Sequence, residues 1–186
     1  MDETKQLRKK ILEMSAKARA CHIGSALSCV EIVLAVNKMG GSLVFSKASG
    51  AATIYAIKDF GWDTLKNIPL CWPGGSLGHG LPIAVGIALG DRNKKVYCVM
   101  SDAELQEGTT WESLMFASHH KLNNLIVIID YNKLQSCGKC EDILGLENLY
   151  KKFEAFNCET RIVRDGHNMQ MIERALTYPA LDNNNQ

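Results

Sequence analysis

Two stretches of the chain are apolar almost without interruption, Val96–Ser101 and Leu125–Asp130, and a shorter one lies at Ser42–Phe45. Unbroken apolar runs of this length predict strands covered on both faces, rather than the alternating strands of a half-solvated sheet. Between and around them the period changes to that of helices. Leu7, Ile11, Leu12, Met14 and Ala18 recur near helical spacing and predict an amphipathic helix over 3–20, which "CHIGSALS" interrupts. Ser28 with Glu31 three residues on reads as a capping box opening a second helix to about Lys38. Further helices are predicted at about 51–60, over the nearly all-apolar "LPIAVGIAL" with Pro82 in its first turn, and over 108–120, 147–156 and 168–176. A last strand is predicted at 159–163, and the segments 61–78 and 131–142 read as loops. Helices alternating with buried strands define an α/β fold: a doubly wound, mostly parallel sheet with helices on both faces. One domain over 1–180 is expected, with 181–186 a disordered tail.

Composition narrows the class. With 46% hydrophobic residues in 186 and a net charge of +1, the chain can bury a sizeable core and carries no electrostatic footprint for nucleic acid or an anionic membrane surface. No apolar run approaches the roughly 18 residues that span a bilayer, and the charged N-terminus lacks a signal-peptide core, so a cytoplasmic protein is expected. Of the seven cysteines, only Cys137 and Cys140 stand as a CxxC, open to a redox or half-zinc reading. No second CxxC or His pair lies at zinc-finger spacing, and a loop with two thiols is the preferred reading.

Candidate chemistry falls at the strand ends, where open parallel sheets bind ligands. One apolar run delivers Asp102 to that edge and the next delivers Asp130 and Asn132. Right-handed crossovers place consecutive strands side by side, so Asp102 and Asn132 are expected to be neighbours although 30 residues separate them. A carboxylate and an amide oxygen are hard ligands suited to magnesium, which takes its remaining ligands from water and a phosphorylated cofactor. The second component is "PGGSLGHGLP", residues 73–82: glycines admit a close approach, and the following helix offers free N–H groups to an anion, with His79 at its mouth. It fits neither a Walker loop nor GxGxxG, and by itself it reads equally as a tight turn before a buried helix.

"HIGSALSCVEI", "GSLGHGLPIAVGIALG" and "SDAELQEGTTWESLMFASHHKLNNLIVIIDYNKLQSCG" together resemble the N-terminal, diphosphate-binding part of transketolases, and most of all the small subunit of split transketolases. The likeness runs from about residue 6 to 176. Ser101 and Ala103 depart from it, standing where glycine is common beside the acid. The resemblance implies a thiamine diphosphate site in which Asp102, Asn132 and the Leu134 carbonyl ligate Mg2+ (or Ca2+ or Mn2+). Gly75, Leu77, Gly78 and His79 would contact the cofactor, with Ser101, Ala103 and Glu104 on the loop against the diphosphate. Glu104 either faces the cofactor or supports the loop or the interface. His22, His79 and Glu107 would be the catalytic set: His22 lines the substrate channel, and Glu107 meets the catalytic glutamate of a partner at the subunit boundary.

In this family, cofactor activation needs a glutamate on a pyrimidine-binding domain, and no such domain fits in this chain. The resemblance therefore implies a separate pyrimidine-domain subunit of the transketolase C-terminal type, an α2β2 assembly, and an enzyme inactive without that partner. "FSKASGAA" puts Ser49 where the family has a histidine that contacts the reacting carbonyl, and the loop before "GGSLGHG" is shortened. Loss of hydrogen-bonding groups alters which polyol a pocket accepts. The expectation is a transferase of a two-carbon ketol or acyl unit between small-molecule donor and acceptor, in making an unusual sugar or related metabolite. The alternatives are a 2-keto acid decarboxylase-type subunit or a non-catalytic cofactor-binding or scaffolding subunit.

Overall fold

The computed structural model describes residues 2–59 and 76–177. Three parallel strands, β1 (Ser42–Phe45), β2 (Val96–Ser101) and β3 (Leu125–Asp130), stand in the order β1-β2-β3. Ser42 pairs with Val96 and Ser101 with Asp130, so β2 and β3 end level with each other at their carboxyl ends. The helices are α1 (Glu3–Ala18), α2 (Ile23–Ser28), α3 (Val30–Met39), α4 (Ala51–Asp59), α5 (Gly80–Gly90), α6 (Gly108–His119), α7 (Cys140–Ile143), α8 (Leu149–Ala155) and α9 (Met169–Thr177). A small antiparallel hairpin, β4 (Leu134–Gln135) and β5 (Gly138–Lys139), follows β3.

The two-residue period of the strands divides the apolar runs between two cores. Leu43, Phe45, Tyr97, Val99, Ile126 and Ile128 face one cluster with Leu7, Ile11, Val33, Ile57 and Ile172, from α1, α3, α4 and α9. Val44, Val96, Cys98, Met100, Val127 and Ile129 face the other, with Leu81, Ala84, Leu114 and Phe153 from α5, α6 and α8. Helices thus cover both faces of the sheet. Trp111 belongs to the second cluster: its ring lies 5.7 Å from Phe153 and 5.5 Å from Phe156, and its indole N–H donates to the Leu105 carbonyl at 2.9 Å.

Three local expectations are corrected. "CHIGSALS" is not merely a break, since 23–28 of it coil into α2, entered through His22 in the left-handed region at φ 64°. Ser28 and Glu31 form no capping box; α3 is capped at Cys29 without a side-chain bond, because both side chains have tertiary partners instead. Ser28 Oγ donates to Asp130 Oδ1 at 2.9 Å, and Glu31 pairs with Arg8 at 2.7 Å. Residues 159–163 form no strand. The Arg161 guanidinium bonds Glu159 and donates to the Ala175 carbonyl at 2.8 Å, tying this segment to the end of α9 by side chains rather than to β3 by a ladder. The expected disordered tail at 181–186 and most of the 61–78 loop lie outside the described residues.

Candidate functional site

Beyond Ser101 the chain leaves β2 in a tight 3-10 turn over 102–106, and this turn with the Glu107 that caps it carries three carboxylates to three different places. Asp102 is 2% exposed. Its Oδ1 accepts from the Ala103 N–H at 2.9 Å and its Oδ2 from the Lys133 N–H at 2.8 Å. The second bond joins the loop after β2 to the loop after β3, which brings Asp102 and the Asn132 loop together as the level strand ends require. Asn132 is exposed; its Oδ1 accepts from the Leu134 N–H at 2.9 Å, and its Nδ2 donates to Ser28 Oγ at 3.4 Å. Lys133 itself sits at φ 65°, which folds the chain back so that its N–H reaches Asp102.

Glu104 is fully buried and turns away from this edge. Its Oε1 accepts from Ser46 Oγ at the end of β1 and from the Gly78 N–H at 3.2 Å. Its Oε2 accepts from the Ser101 N–H at 2.8 Å and from Ser101 Oγ at 3.2 Å; with the Glu104 N–H donating to the Ser101 side chain, the first of these completes the capping box that 28–31 lacks. One carboxylate thereby fastens the glycine-rich turn to the ends of β1 and β2. Ser46 Oγ in turn accepts from the Gly80 N–H at 3.1 Å, at the start of α5. Glycine is required at both turn positions. A Cβ on Gly78, at φ +78°, would lie 2.8 Å from Glu107 Cβ, and one on Gly80 would lie 2.2 Å from Ser46 Cβ.

Around that turn Leu77 and His79 are exposed, His79 with its Nδ1 3.0 Å from Ser76 Oγ and 3.1 Å from the Leu77 carbonyl. Glu107 is also exposed and packs beside Gly78. Gly75 lies outside the described residues. His22 is exposed at the start of α2, whose Ser25 and Ser28 reach the same sheet edge. Cys140 is buried with its thiol against Gln135; burial pushes it up, the Gln135 hydrogen bond lowers it, and Asp102 raises it further. Cys137 and Cys140 are free thiols.

The sequence pattern missed a second buried group at this edge. Lys47, 2% exposed, donates from Nζ to Asp130 Oδ2 at 2.5 Å and to the Ser25 carbonyl at 2.9 Å. Ser49 shares a 2.7 Å hydrogen bond with Ser25 Oγ. The available signal was a lysine and an aspartate each ending an apolar strand, where an ionised side chain needs a partner.

Among the described residues no group of three or more His, Cys, Asp or Glu side chains is placed to hold a metal. A cation here would therefore depend on hard, mostly neutral oxygens. The Asp102 carboxylate, the Asn132 amide oxygen and the Leu134 carbonyl would supply such a set, with Asp102 also accepting from the Ala103 and Lys133 N–H groups and the Cys140 thiol. Hard oxygens of this kind are the donors that suit magnesium.

Comparison with known proteins places this geometry. Residues 72–185 match the Transketolase_N family, described as the transketolase thiamine diphosphate binding domain. One of the subunits of the apulose-4-phosphate transketolase of Actinobacillus succinogenes is 34% identical, over 84% of this chain and 71% of its own length. A 6-deoxy-6-sulfo-D-fructose transketolase subunit from a Clostridium species is 32% identical, over 91% of this chain and 75% of its own. The crystal structure of Campylobacter jejuni transketolase superposes with a TM-score of 0.81 at 28% identity, covering 93% of this chain and 34% of that one. The fold and the strand-end site define a diphosphate-binding α/β domain. The chain belongs to the transketolase family, matching its thiamine diphosphate-binding part, and it spans about a third of the length of the solved transketolase it matches.

Proposed function

We propose that this chain is the diphosphate-binding subunit of a split transketolase-like transferase. It would hold thiamine diphosphate through Mg2+ and complete its active site with a separate pyrimidine-domain chain, as an α2β2 assembly. The observation that carries the reading is the Lys133 N–H to Asp102 bond, which joins the two loops bearing Asp102 and Asn132 beside the Gly78–His79 turn. Asp102, Asn132 and the Leu134 carbonyl hold the metal; Ala103 and the turn over Leu77–Gly78 lie along the diphosphate; His79 stands at its mouth. The cofactor, when bound, supplies the nucleophilic carbon that carries the transferred unit. This chain's part is to fix its charged end, exclude water from it through the turn that Glu104 pins, and present Glu107 to the partner. Two relatives named as subunits of transketolases acting on apulose-4-phosphate and sulfofructose support ketol transfer between sugar-type substrates. The Ser25–Ser49 pair, in place of the family histidine, supports a substrate other than the common sugar phosphates.

The test is a titration of the chain, mixed with its pyrimidine-domain partner, with thiamine diphosphate and Mg2+. Saturable binding is expected, and Asp102→Ala should weaken it about 100-fold or more, beyond what loss of an outer-shell contact costs. Binding unaffected by Asp102→Ala would sink the metal-site assignment. Binding without turnover of any ketose or 2-keto acid would favour the scaffolding role.

A further inference from the structure

The buried pair Lys47–Asp130 has no place in holding the diphosphate, yet it stands one hydroxyl away from a residue that does. Asp130 is 7% exposed, and its two oxygens are used separately: Oδ2 accepts from Lys47 Nζ and Oδ1 from Ser28 Oγ at 2.9 Å. A serine hydroxyl has one proton, and here the carboxylate takes it. Ser28 Oγ can then only accept from Asn132, so the amide must offer its Nδ2, found at 3.4 Å. The opposite end of the amide, Oδ1, receives the Leu134 N–H at 2.9 Å. Both contacts require the same one of the two amide orientations. A flipped amide would set its NH2 against the Leu134 N–H and its oxygen against a hydroxyl already committed to Asp130.

We infer that Asp130, acting through Ser28, is a positioning residue that fixes the Asn132 amide with its oxygen toward the metal, and that Lys47 supplies the counter-charge that holds Asp130 in place. The chain of contacts runs from the β1–α4 connection to the end of β3, across to the end of α2, and back to the loop after β3. Residues 47, 130, 28 and 132 thus reach one ligand from three separate parts of the fold. Outer-shell partners of this kind orient metal ligands, and losing one typically costs about 10–100-fold in metal affinity. The inference rests on the metal site proposed above.

The experiment is Mn2+ titration, followed by the loss of the free-ion electron paramagnetic resonance signal, on the assembled complex with thiamine diphosphate. Ser28→Ala is the principal variant, because it removes the relay and leaves the Lys47–Asp130 pair intact. About tenfold or more weaker Mn2+ affinity is expected at an unchanged unfolding temperature, with Ser28→Thr restoring it, since threonine keeps the hydroxyl. Wild-type affinity in Ser28→Ala overturns the inference, as does a loss that Ser28→Thr fails to restore. A wild-type complex that takes up no Mn2+ overturns the site itself, an outcome distinct from a bound metal indifferent to Ser28.

Discussion

Glu104 gathers four donors from three residues onto one carboxylate with no exposed surface. Two of them are backbone N–H groups, of Gly78 and Ser101, which have no means of turning toward another acceptor. Each buried polar group left unsatisfied costs about 1–3 kcal/mol. Glu104→Ala is therefore expected to lower the unfolding free energy by about 3–5 kcal/mol, and Glu104→Gln by about 1–3 kcal/mol, because an amide satisfies one pair of donors and sets its own N–H against the other. Urea unfolding measures both, and two variants within about 0.5 kcal/mol of wild type would contradict the clamp. The same residue shows what a linear pattern leaves undecided. Ser-x-x-Glu occurs at 28–31 and at 101–104, and only the second becomes a capping box. Ser28 and Glu31 are drawn off by Asp130 and Arg8, which lie 102 and 23 residues away in the chain, and no local spacing encodes that competition.

Glu31 links whole elements. Its carboxylate, 3% exposed on α3, meets the Arg8 guanidinium from α1 at 2.7 Å and His167 Nδ1, just before α9, at 3.1 Å. Burial alone would raise this carboxyl, but the hydrogen bonds from Arg8 and His167 outweigh it and hold the group below its ordinary value of 4.5. A carboxyl whose folded value is lowered adds stability above its unfolded value and loses it as pH falls through the folded one. Stability is thus expected to drop as pH falls below about 4.5, and Arg8→Met should flatten that drop, its deficit against wild type being large at neutral pH and shrinking in acid. Equal deficits at both pH values, by urea unfolding, would remove Glu31 as the source. The long apolar strands were legible because burial on both faces leaves little else for such runs to be. The segment 159–163 was not, because strand character there needed a ladder partner. Ile162 remains 73% exposed, and the neighbouring arginine is engaged by the end of α9.

At the scale of the molecule, Asp102 and Asn132 were readable as a pair because parallel topology brings consecutive strand ends together whatever the sequence between them. Lys47, Ser25 and Asp130 were not, because their pairing depends on how α2 seats against that edge. The exposed Glu107 belongs to a third category: on the proposed function, it is a charge whose use lies outside the chain. It stands beside the Gly78 turn and is held there by the turn that Glu104 buries, so its position is fixed while its carboxylate faces outward. A carboxylate of that kind contributes little to the chain's own stability, since exposed charges away from such features change it by no more than about 0.5 kcal/mol. Its effect should surface only on assembly. Glu107→Gln is expected to leave the unfolding of the isolated chain unchanged while weakening its association with the pyrimidine-domain partner, or the cofactor's retention in the complex, by about tenfold, as for a charge-assisted bond of about 1.5 kcal/mol. Sedimentation of the mixture across a concentration series, beside thermal unfolding of the chain alone, separates the two effects. If unfolding shifts and association does not, Glu107 serves the fold, and the interface must be sought on another face.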